Sequence, residues 1–288
     1  MITTKEINYS IYGKCLAVES GKLTMYITLD VGPRVIYASL DGSENLFHND
    51  VKTASYKSDE ELSFYYGENK GGWHIYGGHR LWCAPESLPE TYYPDNEKLD
   101  YEVNGNTVTL ICPERSVSKL APKFEFTFDG EKVTVKHMMK NNSEKTQRFA
   151  LWALSVMAPG GIAEVVNPPL GEGLLPTRSA AFWPYASPSD SRFSLDSDAF
   201  RVYFSGAKLP PFKFGILNTS GVCRFVSREG VIFEKTVTTY TDREYPDFGC
   251  SCEVYTCDKF TELETIAPLE NVLPGGVAEH VENWEFKR

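Results

Sequence analysis

Basic residues are the scarcer charge in this 288-residue chain: 29 lysines and arginines face 39 aspartates and glutamates, for a formal net charge of −10. Nowhere do the cations gather into a stripe. That excludes a nucleic-acid protein, whose affinity rests on neutralising phosphates. Long hydrophobic runs are missing as well. The longest, Phe149 to Ala158, has ten residues and includes a serine, against the roughly 20 that a membrane-spanning helix needs. No membrane span is therefore expected. The opening MITTKEINYS has no basic region leading into an apolar core, so no signal peptide is expected either. Seven cysteines make an odd count without the spacing of a disulfide framework, and a reducing cytoplasm is the expected home. Phosphate-binding GxxxxGK[ST] and GxGxxG loops are absent, as is a GxSxG nucleophile elbow.

What remains is a globular composition, 42% hydrophobic and 13% aromatic, with a hydrophobic period of two nearly throughout. Leu23, Met25, Ile27 and Leu29 alternate with Lys22, Thr24, Tyr26 and Thr28. Phe124, Phe126 and Phe128 lead into Asp129-Gly130, after which Val133, Val135, His137 and Met139 alternate again, predicting a tight hairpin. A second hairpin is expected around Asn104-Gly105-Asn106, and a third around Asn218-Thr219-Ser220-Gly221. Phe200–Ser205, Cys250–Thr256 and Val277–Phe286 read as further strands, and the apolar run Phe149–Met157 as a strand buried on both faces. The Pro-rich stretch Pro168–Pro188 reads as a long ordered excursion. The fold expectation is all-β: one antiparallel domain over residues 1–288, built of stacked sheets.

Two segments carry candidate chemistry. Residues 71–82, Gly-Gly-Trp-His-Ile-Tyr-Gly-Gly-His-Arg-Leu-Trp, hold four glycines, two histidines, one arginine and two tryptophans. Glycine lets a backbone approach a ligand closely, histidine can move a proton near neutrality, and arginine offers a rigid fork of donors. Trp73 and Trp82 offer flat faces that suit the C–H side of a sugar ring. The plainer reading is a loop whose aromatics cap the core. In the second segment, Glu262 and Glu264 are two apart and share one face of a strand. Neighbouring carboxylates raise each other's pKa, which poises one as a base; the plainer reading is a solvated strand face. Cys250, Cys252 and Cys257 lack a second cysteine pair or histidine at zinc spacing and read as buried thiols, so no metal is expected.

Three stretches, GGHRLWCAPE (77–86), ALWALSVMAPGG (150–161) and FTELETIAPLENVLPGGVAEHVENWEF (260–286), resemble the galactose mutarotase-like superfamily. Within it they are similar to a bacterial branch with a GGHRLW-x-APE signature. The resemblance implies a β-supersandwich with a sugar-binding cleft on one sheet. It also implies aldose 1-epimerase chemistry, in which a glutamate takes the anomeric proton while a histidine protonates the ring oxygen. Glu264 matches the base position, with Glu262 as the fallback after a register shift. The acid's usual place after Asn141-Asn142 holds no histidine here, and Trp152 stands in that stretch. An indole N–H is no proton donor at neutral pH. His79 or His74 is then the expected acid, with Arg80 on the ring hydroxyls.

Two functions of different class follow: an aldose epimerase-like isomerase using Glu264 and His79, or a carbohydrate-binding protein that has lost the acid. A weaker third is a lyase or hydrolase using His74, Tyr76 and Arg80 in a groove lined by Trp73, Trp82 and Trp183. Within 71–90 no second basic residue adjoins Arg80, which favours a neutral sugar or a uronate over a sugar phosphate. Ring opening calls for no cofactor. The expected partner is a small carbohydrate.

Overall fold

The computed structural model describes residues 1–51, 55–68, 70–168, 172–174 and 176–288, with only the backbone of 55 and 56. Two large antiparallel sheets stack face to face. The first runs, in spatial order, Thr3–Asn8, Lys14–Ser20, Leu23–Thr28, Val35–Leu40, Gly78–Ala84, Gln147–Met157, Thr261–Ile266, Cys252–Thr256, Phe212–Ile216 and Ala180–Phe182. Glu270–Val272 adds to the start of the Gln147–Met157 strand. The second runs Phe193–Leu195, Ala199–Tyr203, Ile162–Val166, Val222–Val226, Ile232–Thr236, Val277–Lys287, Lys132–Asn141, Leu120–Asp129, Thr107–Ile111 and Asp100–Asn104. The all-β expectation holds.

Between the sheets lies the main core, where Phe124, Phe126 and Phe128 meet Leu151, Phe214, Leu263 and Trp284. The first sheet is also covered on its other side. Leu62 and Tyr66 of the short helix Asp59–Tyr66, together with Trp73, Ile75 and Tyr93, pack on the outward side chains of its central strands. That double cover explains why Phe149–Met157 reads as unbroken apolar sequence: Leu151 and Ala153 face the second sheet, while Ala150, Trp152 and Leu154 face the outer layer. The helix itself is announced by a capping box. Ser58 Oγ accepts from the Glu61 amide at 3.1 Å, and the Glu61 carboxylate accepts from the Ser58 amide at 2.7 Å.

Two of the three expected hairpins form, with turns at Gly130-Glu131 and Gly105-Asn106. The first is one residue later than the sequence suggested, because Asp129 pairs with Lys132. The turn at 218–221 makes no hairpin. It carries the chain from Phe212–Ile216 in the first sheet to Val222–Val226 in the second. Turn chemistry marks a reversal but does not say which sheet receives the next strand. Of the Pro168–Pro188 excursion, residues 169–171 and 175 lie outside the described residues, and Ala180–Phe182 forms the edge of the first sheet.

One polar network crosses the core. His79 Nε2 meets His137 Nε2 at 2.8 Å, His79 Nδ1 meets Ser155 Oγ at 2.9 Å, and His137 Nδ1 meets the His280 carbonyl at 3.0 Å. Glu282 accepts from Lys235 Nζ at 2.9 Å, Thr265 Oγ1 at 2.5 Å and Trp284 Nε1 at 2.7 Å. Burial pushes His79 well below the usual histidine pKa, His137 to about 4 and His280 to about 3, against the pull of Glu282. Burial also works against the Glu282 carboxylate, but Lys235 and the histidines hold it well below the usual range.

These histidines stay neutral in the fold and take up protons on unfolding below their ordinary pKa of about 6.5. Stability is therefore complete above pH 6.5 and lost as pH falls toward 4, by up to about 1.4 kcal/mol per pH unit for each histidine. Glu282 adds to the loss only at still lower pH, since its folded pKa is depressed. Urea midpoints measured from pH 8 to pH 4 should be flat and then fall steeply. A level profile down to pH 4 would overturn the neutral, buried assignment.

Candidate functional site

Five neighbouring strands of the first sheet send alternate side chains outward, and those side chains floor a cleft of about 280 Å³. Gly78–Ala84 supplies Arg80 and Trp82, Gln147–Met157 supplies Trp152 and Leu154, and Thr261–Ile266 supplies Glu262. Cys252–Thr256 supplies Tyr255, and Phe212–Ile216 supplies Lys213. Trp73, Tyr92, Trp183, Tyr185 and Glu86 wall it from the flanking segments. The volume is close to the lower end of small-molecule pockets, about 300 Å³.

Two buried ion groups organise the floor. At one end Arg80 Nη2 donates to Glu262 Oε1 at 3.0 Å, and the guanidinium lies 4.3 Å from the Trp82 ring centre and 5.6 Å from that of Trp73. At the other, Lys213 Nζ contacts Glu253 Oε2 at 2.7 Å and Glu264 Oε2 at 3.0 Å, between the faces of Trp152 and Trp183 at 4.6 Å each. Trp152 Nε1 donates to the same Glu264 oxygen at 2.7 Å. Burial disfavours the Lys213 ammonium, but Glu264 and Glu253 override it and hold its pKa well above the usual range. Burial raises the Glu262 pKa, Arg80 opposes the shift and Glu264 adds to it. Glu253 is raised by burial and by Glu264, against Lys213. Arg80 Nε and Nη1 and Glu264 Oε1 have no protein partner among the described residues.

The structure brings Trp73, Arg80, Trp82, Trp152 and Glu262 together in this cleft. Glu264 shares the outward face with Glu262, as the spacing required, but is 0% exposed and tied beneath Trp152 and Lys213. His79 is a correction. It follows Gly78 and precedes Arg80 in one strand, so it points the opposite way from Arg80, into the inter-sheet network, where it is 0% exposed. It cannot serve the cleft as an acid. His74 is also a correction: it is half-buried with its ring beside Tyr76 and does not line the cleft.

Residues 71–82 are not one loop either. Trp73–His74 pairs with Ser55–Lys57, and Gly78–Ala84 is a central strand. The Gly77-Gly78 pair serves that strand's entry: φ is +97° and +69°, and a Cβ would lie 1.9 Å from the His48 carbonyl or 2.3 Å from that of Val35.

Sequence reasoning missed Lys213 and Glu253. Each is a lone charge inside an alternating apolar strand, Phe212-Lys213-Phe214 and Cys252-Glu253-Val254, and that was the available signal. Lys213 brings a second cation to the cleft from outside residues 71–90, the stretch in which none adjoins Arg80. His79, His137 and Glu282 bring ligand-type atoms within 4.8 Å of one another. Their ring nitrogens and carboxylate oxygens already have protein partners, and Lys235 supplies the positive charge. Cys250, Cys252 and Cys257 are buried free thiols.

No protein-family model and no curated protein sequence matches the chain. Solved structures do match its fold. A galactose mutarotase-like protein from Lactobacillus casei aligns over 95% of this chain and 100% of its own, with a TM-score of 0.59 at 9% identity. Another from Clostridium acetobutylicum aligns over 100% and 99%, with a TM-score of 0.54 at 9% identity. A TPR-domain containing protein from Parabacteroides distasonis gives 0.61 at 13% identity over 95% of this chain, which spans about half, 47%, of that longer protein. The chain therefore has the galactose mutarotase-like fold. No helix among the described residues is long and apolar enough to cross a membrane.

Replacing Lys213 by methionine should leave two buried carboxylates without their cation, at a cost of about 3–5 kcal/mol. Those carboxyls would then have folded pKa values raised above the unfolded ones, so the missing stability returns as pH falls toward 5 and disappears as pH rises. Urea unfolding of Lys213→Met relative to wild type at pH 8 and pH 5 checks this. An equal gap at both pH values would show that Lys213 does not neutralise them.

Proposed function

We propose that this cleft binds a free sugar. The observation that carries the reading is the arrangement of tryptophan faces around the Arg80–Glu262 pair, with Lys213 at the far end. A pyranose has an apolar C–H face and a rim of hydroxyls. The rings of Trp82, Trp152 and Trp183 suit the face, while Arg80, Glu262 and Lys213 suit the rim. The galactose mutarotase-like fold, and the residues 77–86, 150–161 and 260–286 that resemble that superfamily and its GGHRLW-x-APE branch, support the same class of ligand. The cleft lies within the 1–288 unit, which we take as one domain, acting in the cytoplasm.

Binding without turnover is the reading the geometry favours, because no histidine is among the residues that line the cleft. A second reading, anomer exchange of the aldose 1-epimerase kind, draws on one observation: Glu262 lines the cleft with its pKa raised, as a general base acting near neutrality requires. In it Glu262 takes the anomeric proton, the bond from the anomeric carbon to the ring oxygen breaks, and the Lys213 ammonium gives a proton to that oxygen. Glu264, the base by resemblance, then holds Lys213 in place to take the proton back. Closure on the other face of the carbonyl returns both protons to where they began.

Titration with a panel of aldoses and uronates, followed by tryptophan fluorescence and protein NMR, tests the binding. We expect saturable shifts, weakened about threefold to tenfold in Trp82→Ala. Absence of any response across the panel would sink the cleft assignment. Anomer exchange followed by NMR separates the two readings. Exchange at the spontaneous rate leaves a binding protein. Accelerated exchange lost in Glu262→Gln makes it an isomerase with Glu262 as base, and loss in Glu264→Gln alone returns that role to Glu264.

A further inference from the structure

The turn Pro246–Gly249 leads through Cys250, whose sulfur lies over Gly215 beside Glu253 next to the Lys213 strand, into the strand that carries Glu253 and Tyr255, and its backbone is unusual. Asp247 has φ 52° and ψ 53°, and Phe248 has φ 61° and ψ 27°. Two successive residues thus occupy the left-handed region, and neither is glycine. A β-carbon there crowds the following carbonyl, so such positions persist only where surrounding contacts enforce them. On the Asp247 side the contact is visible. Its carboxyl lies within electrostatic range of Glu253, Lys213, Glu264 and Glu86, of which Lys213 and Glu86 line the cleft.

Phe248, by contrast, has no packing among the described residues that would account for its place. Its relative exposure is 101%, at the position directly after a residue directed toward the cleft. A scattered exposed apolar side chain on a relaxed backbone calls for no explanation. A phenyl ring held in solvent by a strained backbone contributes nothing to folding, and such strain gathers where a ligand is handled. Tyr185, which lines the cleft, is itself 46% exposed.

We propose that Phe248 is a stacking platform for a second sugar ring, so that the natural ligand is a disaccharide or longer, held in the cleft by one ring and on Phe248 by the next. This rests on the carbohydrate reading of the cleft and extends it outward. The occupant is a pyranose because its C–H face matches an aromatic face, and because the platform continues a cleft already walled by tryptophan and tyrosine.

The test pairs each monosaccharide with a disaccharide containing it, galactose with lactose and glucose with maltose, by calorimetry. Wild-type protein is compared with Phe248→Ala and with Phe248→Asn, since asparagine tolerates the left-handed backbone and keeps the turn intact. We expect at least one disaccharide to bind wild type about threefold to tenfold more tightly than its monosaccharide. That gain should vanish in both variants while monosaccharide affinity stays the same. A disaccharide gain that survives in both variants overturns the assignment of Phe248. Monosaccharide binding with no disaccharide gain overturns the extended ligand and leaves the cleft reading standing. No binding by any of the four sugars overturns the extended ligand, and silence across the aldose and uronate panel besides overturns the cleft reading as well.

Discussion

A β-strand offers its side chains to two faces in strict alternation, and the five central strands of the first sheet depend on both. Along Gly78–Ala84, His79, Leu81 and Cys83 turn toward the second sheet, while Arg80 and Trp82 turn toward the cleft. Along Thr261–Ile266, Leu263 and Thr265 turn inward, while Glu262 and Glu264 turn outward. One residue of slip in any of these strands would exchange core and site. Packing of Leu81, Leu151, Phe214 and Leu263 against the second sheet therefore fixes the register that aligns Arg80, Glu262, Glu264 and Lys213. The hydrophobic core and the polar cleft are two sides of one constraint.

The polar groups on each side are balanced locally. Toward the second sheet, Lys235 and Glu282 compensate each other within a ring of neutral histidines. Toward the outer layer, Arg80 is matched by Glu262 and Lys213 by Glu264 and Glu253. An isolated charge in either place would be costly to bury. Each cation of the cleft also rests against tryptophan, so its position is set by ring packing as well as by charge. A side chain pinned in both ways is ready to meet a ligand with little further loss of freedom.

Much of this was legible in the sequence, and the limits are instructive. Period-two alternation marked the strands around Leu23, Phe124 and Val133, and an unbroken apolar run marked Phe149–Met157, since the former are half buried and the latter is buried on both faces. The turn at 218–221 was misjudged because a reversal between two sheets uses the same residues as a reversal within one. His79 was misplaced because glycines at 71, 72, 77 and 78 suggested a loop, whereas the pair at 77–78 only opens a strand. Read as a strand from Gly78 onward, the same letters put His79 and Arg80 on opposite faces. Lys213 and Glu253 went unnoticed because their partner, Glu264, is far away in sequence, and charge pairing across strands leaves no local trace.

The split between inward and outward rows bears on how such a chain can change over evolutionary time. Outward positions such as Arg80, Trp152 and Glu262 can be exchanged in combination while the inward row is kept, so binding chemistry can drift on an unaltered frame. A one-residue insertion in a central strand would exchange its two rows unless a bulge absorbed it, so register is the quantity that must be kept. The same fold is seen in solved structures of 9% identity. Strand register decides where the outward row lies, and the alternate letters decide what that row presents.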